Sequence, residues 1–150
     1  MVNWQSYIDF IVNKGDIEDC MIVSSDGGHT WAATPNFNLR EYLGLVIKED
    51  GSEIEELINE ADNLLKLMNG SEKPLQGLRL NGGKKQQIIR EFKDPDTNNF
   101  MVYGKLAKGG TCIANAGKCI LLGTFNENKG YNFSIFIIFL TFIFFTPIFL

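Results

Sequence analysis

A single histidine, His29, and three cysteines, Cys20, Cys112 and Cys119, are all the imidazole and thiol this 150-residue chain possesses. That scarcity leaves little room for histidine- or cysteine-based catalysis, and no other enzyme signature is found. A metal site built on paired histidines needs a second imidazole, and any Ser- or Cys-based triad would have to use His29 as its base. His29 follows Gly27-Gly28 and reads as a solvated turn residue. The cysteines are odd in number, lack metal-ligand spacing, and follow no signal-peptide pattern, since the first ten residues are polar and aromatic. A reducing cytosol is therefore expected. Cys112 and Cys119 could face each other across a hairpin, but the preferred reading is that the thiols are free and buried. Gly82-Gly83-Lys84-Lys85 lacks the preceding strand, the spacing and the Ser/Thr of a phosphate-binding loop. The chain is accordingly expected to be no enzyme and to use neither cofactor nor metal. Charge is missing altogether from residues 131–150.

The length suits one domain with one hydrophobic interior. The formal charge of −4 conceals an asymmetry: residues 1–75 carry fourteen acids against five bases, whereas residues 76–150 carry nine bases against four acids. The second half thus offers a surface for an acidic partner, unless its lysines merely solvate strand faces. Trp4, Tyr7, Ile8 and Ile11 recur at helical spacing after Asn3, a candidate N-cap, so residues 4–13 are expected to be a short amphipathic helix. Residues 20–23 and 29–33 read as a hairpin around Asp26-Gly27-Gly28. Residues 38–47 look helical. After Asp50-Gly51, Ser52 with Glu55 forms a capping box for a second helix whose apolar stripe runs Ile54, Leu57, Ile58, Ala61, Leu64, Leu65, Met68 and stops at Asn69-Gly70. On that helix Glu53, Glu55, Glu56, Glu60 and Asp62 would be a solvated acidic face. The pattern then turns to strands at 77–80, 87–92, 100–106, 111–114 and 118–125, separated by Gly-rich turns, with Asn81-Gly82 marking a hairpin. Short turns imply antiparallel neighbours, so the fold class is α+β, an antiparallel sheet flanked by helices.

Five motifs occur in order. Trp4-Gln5-Ser6-Tyr7-Ile8-Asp9 resembles the W-Q-x-Y-[VI]-D opening of profilins. Asp26-Gly27-Gly28 with Trp31-Ala32 is similar to their D-G-x-x-W-A hairpin, and Gly77-Leu78-Arg79-Leu80-Asn81-Gly82 with Lys84 or Lys85 to their G-L-x-L-x-G-x-K hairpin. Tyr103-Gly104-Lys105 ahead of Gly109-Gly110 and the strand Ala116-Gly117-Lys118-Cys119-Ile120-Leu121-Leu122-Gly123 complete the resemblance. It implies a profilin-like fold over residues 1–130. The sequence also departs from the family pattern. Residues 38–73 are longer than their counterpart. The turn at 82–85 is one residue longer, which leaves the alignment of Lys84, Lys85 and Arg90 open by one position. Nothing after Phe125 resembles the amphipathic helix with which profilins end.

The resemblance implies a cytoplasmic, cytoskeletal monomer that binds actin monomers and proline-rich peptides, regulates actin polymerisation and binds no nucleic acid. Trp4, Tyr7 and Trp31 would form the poly-proline site. Flat rings pack on pyrrolidine faces, and a left-handed proline-rich helix has little entropy left to lose. From the residues alone, these rings could equally be core aromatics pinning a helix to a sheet. Lys84, Lys85, Arg90 and Lys105 would contact actin's acidic surface, and Lys105 with Lys108 would meet acidic phosphoinositides.

Residues 131–150 are apolar all round, so they have no side to show to water and are expected to lie outside the packed domain. Translation of a non-coding stretch, leaving a truncated product with impaired actin binding, is the preferred reading. A tail anchor over residues 133–150, making a membrane-tethered profilin-like protein, is the alternative.

Overall fold

The computed structural model describes residues 3–13, 17–69, 74–93 and 100–126. Helix α1 (Trp4–Asn13) starts where Asn3 caps it, its side-chain oxygen accepting from the Ser6 N–H at 3.2 Å, and it buries Ile8 and Ile11. Strands β1 (Asp19–Ser24) and β2 (Thr30–Ala33) form the expected hairpin, closed by Gly28 at φ 70°. Then come β3 (Glu41–Ile47), β4 (Glu53–Asn59), α2 (Glu60–Met68), β5 (Gln87–Lys93), β6 (Phe100–Leu106), β7 (Gly109–Asn115) and β8 (Cys119–Asn126).

Six strands make one antiparallel sheet in the order β2-β1-β8-β7-β6-β5, and β3 with β4 forms a separate two-stranded sheet. The central strands of the large sheet are buried on both faces. Ile8 and Ile11 of α1 pack with Cys20, Ile22, Met101, Tyr103, Cys112 and Leu121 on one side. Leu64, Leu67 and Met68 of α2 pack with Met21, Val23, Val102, Ile113, Ile120 and Leu122 on the other. Alternation along each strand divides the two sets, as the two-residue repeat requires. The α+β architecture expected from the sequence is the one found.

Two expectations in the middle of the chain are corrected. Residues 38–47 hold no helix, and the capped helix expected from Ser52 begins only at Glu60. Tyr42 and Val46 alternate with Leu43, Leu45 and Ile47, a period-two pattern rich in β-formers that pairs in register with residues 53–59. Gly51 turns the hairpin at φ 86°. Ser52 caps no helix; its N–H and hydroxyl both donate to Asp50. Ile54 and Ile58 fit a strand as readily as a helix because they are four apart. The true N-cap is Asn59, whose side chain accepts from the Asp62 N–H at 3.1 Å.

The acidic face needs correction as well. Glu53, Glu55 and Asp62 are exposed, but Glu60 is fully buried. Its carboxylate accepts from the Arg40 N–H at 2.8 Å, the Gly82 N–H at 2.9 Å and the Tyr42 hydroxyl at 3.0 Å. It therefore fastens the β3–β4 hairpin to the turn at 81–82. The expected hairpin of 77–80 against 87–92 reduces to one bridge, Leu78 with Gln86, because β5 pairs with β6 instead. Its turn chemistry is as read: Asn81 and Gly82 both take positive φ, 54° and 75°. The readings made for residues 131–150 fall outside the described residues, among which no helix is long and apolar enough to cross a membrane.

Candidate functional site

Trp4 and Tyr7 stand one turn apart on α1, and Trp31 comes from β2. An alternating strand would send Trp31 to the opposite face from Ala32. The register prevents this. Ile22 pairs with Ala32 and Val23 with Thr30, so Trp31 is the extra residue of a β-bulge between them. A bulge re-aims its side chain, and here the indole is carried beside α1. The Trp4 and Trp31 rings lie 5.8 Å apart, tilted by 38°, and Tyr7 meets Trp4 edge-on at 6.3 Å. Gln5 ties the helix to the same strand by donating to the Ala33 carbonyl at 3.2 Å.

The three rings are graded in exposure. Trp31 is 39% exposed, whereas Trp4 and Tyr7 are half-buried against the α1-side core. Burial raises the Tyr7 hydroxyl to about 12, helped by the neighbouring thiols of Cys20 and Cys119. Tyr7 is thus a neutral hydrogen-bonding phenol across the physiological range. The cluster is a shallow aromatic ledge at the β2 edge, half footing and half surface, and flat apolar rings carrying polar tips can stack on a ligand while bonding to it.

The basic candidates do not gather into one patch. Arg90 pairs with Tyr103, and Lys105 lies two residues beyond Tyr103 on β6, so both point to the α1 side, exposed, near the β5 edge. Lys108 is exposed at the β6–β7 turn. Lys84 and Lys85 are in the loop before Gln86. The Lys85 stem lies against Gly77, and Lys85 lines a cleft of about 670 Å³ with Val46, Glu49, Asp50 and Glu56 of the hairpin. It therefore leans away from Arg90 and Lys105. Five strand spacings of ~4.8 Å separate β2, which carries Trp31, from β5, which carries Arg90, so these edge strands lie about 24 Å apart across the sheet.

All three cysteines are free and buried. Burial pushes Cys20 and Cys119 up to about 12 and Cys112 higher still, so each thiol stays protonated and inert. Cys112 sits opposite Gly123 and Tyr103, not opposite Cys119. Sequence reasoning missed the Glu60 clasp and the Trp31 bulge. A carboxylate flanked by the apolar Ile58 and Leu64 was the only trace of the first, and the second left none.

An antiparallel sheet with α1 on one face and α2 on the other, and an aromatic ledge where α1 meets the edge strand, defines a small α+β class of fold. A sequence profile described as Profilin matches residues 2–134, and the chain belongs to the profilin family. The profilin of Tetrahymena pyriformis is 26% identical over 132 residues, 86% of this chain and 81% of that protein. Profilin-P of Physarum polycephalum is likewise 26% identical, over 85% of this chain and 83% of its own. Among solved structures, Schizosaccharomyces pombe profilin superposes with a TM-score of 0.66 at 23% identity, covering 97% of this chain and 98% of its own. Mouse profilin IIa, solved in complex with a double repeat from the FH1 domain of mDia1, superposes at 0.50 with 20% identity, covering 91% and 96%.

Proposed function

We propose that this chain is an actin-monomer-binding protein of the cytoplasm that also binds proline-rich peptides and regulates actin polymerisation. Membership of the profilin family supports the general reading, and the convergence of Trp4, Tyr7 and Trp31 on one ledge carries it. The ledge suits a polyproline helix for a physical reason. The ligand is stiff before it binds, so weak stacking on exposed ring faces suffices without much entropy to overcome. The mouse relative's structure contains a double repeat from the FH1 domain of mDia1.

Actin is assigned to Arg90 and Lys105 at the far edge, with Lys84 and Lys85 as flanking cations. The distance between ledge and basic edge supports simultaneous occupancy, so one chain could hand a monomer to a proline-rich assembly factor. Lys105 and Lys108, both exposed, are the residues an anionic phosphoinositide headgroup would meet. The test uses the full chain in two assays: slowing of spontaneous assembly of fluorescently labelled actin, and retention on immobilised polyproline. Activity in both supports the proposal. Failure in both, by a chain whose thermal unfolding is cooperative, overturns it.

A further inference from the structure

The β3–β4 hairpin turns two unlike faces outward and inward. Inward, Ile58 is fully buried and Val46 nearly so. Outward, Leu43, Leu45 and Ile47 stand in a row on β3 at 65%, 60% and 69% exposure, and Leu57 opposite Leu43 is 57% exposed. Beside that row on β4 stand Glu55, opposite Leu45, and Glu53, opposite Ile47. Among the described residues, no base of the hairpin stands on this face. Lys48 lies beyond it, where the chain leaves β3 for the turn. Four large aliphatic side chains held side by side in water are more than the scattered apolar exposure of an ordinary surface.

We infer that this outer face docks a basic amphipathic helix of a partner protein, a helix whose apolar stripe is flanked on one side by Lys or Arg. Charge selects the partner: the apolar row is bordered by carboxylates, so the complementary surface carries cations at the same offset, about 5 Å from its apolar stripe. Like charge disfavours a second copy, because stacking two of these faces would bring acids together with no base between them. It also disfavours an anionic lipid surface.

Geometry favours a helix over an added strand. From Leu43 to Ile47 the row spans about 13–14 Å, a length that the i, i+4, i+8 and i+11 positions of a helix cover, since i to i+8 spans about 12 Å and i to i+11 about 16.5 Å. Strand addition needs a run of free edge groups, and each edge of the hairpin already carries a side-chain hydrogen bond. Arg79 donates to the Leu45 carbonyl at 3.0 Å, and Gln76 donates to the Leu57 carbonyl at 3.0 Å. The face is thus open while each edge is interrupted. It is distinct from both surfaces assigned above, and its sign is opposite to that of the Arg90 and Lys105 edge.

The experiment titrates the isotopically labelled full chain with a synthetic Leu/Lys helix carrying one Leu stripe and one flanking Lys stripe. A peptide of the same composition in scrambled order, and a Leu/Glu helix, serve as controls. Binding at least tenfold tighter than either control, with amide shifts concentrated at Leu43, Leu45, Ile47 and Leu57, supports the inference. So does a tenfold or greater loss with Leu45→Ser or with Glu53→Lys plus Glu55→Lys; these side chains are exposed, and an unchanged unfolding temperature shows the fold intact. Equal binding of the scrambled peptide, tighter binding of the Leu/Glu helix, or shifts centred elsewhere overturns it. Concentration-dependent dimerisation that Leu45→Ser abolishes also overturns it, since the occupant would then be a second copy.

Discussion

Replacing Glu60 with Gln should cost far more than a conservative swap at a residue first read as solvated. The carboxylate has no exposed surface, and its two oxygens accept three hydrogen bonds, one at Oε1 from the Arg40 N–H and two at Oε2 from the Tyr42 hydroxyl and the Gly82 N–H. A carboxamide has one acceptor oxygen. Turned to serve Tyr42 and Gly82, it sets its amino group against the Arg40 N–H; turned the other way, it abandons Gly82 and Tyr42. Either way a backbone donor is left unpaired, at about 1–3 kcal/mol, and the remaining bonds lose their charge assistance, for a total of about 2–4 kcal/mol. For a chain of this size that lowers the unfolding temperature by roughly 5–15 °C. Tyr42→Phe removes only a half-buried hydroxyl and should cost about 1 kcal/mol. Chemical denaturation and calorimetry of the three proteins measure this directly. If Glu60→Gln unfolds within about 0.5 kcal/mol of wild type, the clasp contributes little and the hairpin is held by apolar contacts alone.

Trp4→Ala should reduce the tryptophan fluorescence change on polyproline titration, leaving only that of Trp31, and weaken binding about tenfold or more, because it removes the ring that touches both of the others; binding unchanged from wild type would place the peptide elsewhere. Lys105→Glu should weaken actin binding by up to about 1 kcal/mol, more if the contact excludes water, and binding should fall with added salt; full retention of actin sequestration would mean the wrong face has been chosen. Because burial raises Cys20 and Cys119 from 9.0 to about 12, the folded state holds protons that the unfolded chain releases. Their contribution to stability is therefore complete below about pH 9 and is lost as pH climbs toward 12. An alkaline denaturation series should show this fall, and a thiol reagent at pH 8 should label the cysteines only after denaturant is added; rapid labelling of the native chain would contradict the burial.

What the sequence made legible was whatever local chemistry determines. Asn3 capping α1, Gly28 turning β1 into β2, and Asn81-Gly82 taking positive φ are consequences of residue type at a given position, and all are found. The strands from β6 to β8 were legible because each carries an apolar run and Gly-containing turns divide them. The hairpin β3–β4 was misread because Ile54, Ile58 and Ala61 satisfy a helical stripe, while Ile54 and Ile58 equally satisfy a strand. The capping-box pattern at Ser52 and Glu55 tipped the choice wrongly. Tertiary context decides such ties: Tyr42, Val46 and Ile58 have a core to cover, and Glu60 ends the strand by drawing three donors to itself.

The candidate peptide site shows the same division at the level of single side chains. Trp4 and Tyr7 share a face because of helical spacing, and that much is readable from the chain. Trp31 joins them only because β2 carries one residue more than its partner strand between Ile22 and Val23, a mismatch in pairing that no residue type announces. In regular alternation the indole would stand on the α2 side, the core there would have to admit it, and the ledge would lose its most exposed ring. Deleting Thr30 would test this, because shortening β2 by one residue restores regular pairing. The variant should fold with reduced stability and lose the close contact between Trp4 and Trp31, read as the disappearance of their coupled signal in near-ultraviolet circular dichroism. Polyproline affinity should fall with it. A deletion variant that keeps both the signal and the affinity would show that the loop at 25–29 supplies the compensating residue, and that the bulge is a convenience of register with no part in placing Trp31.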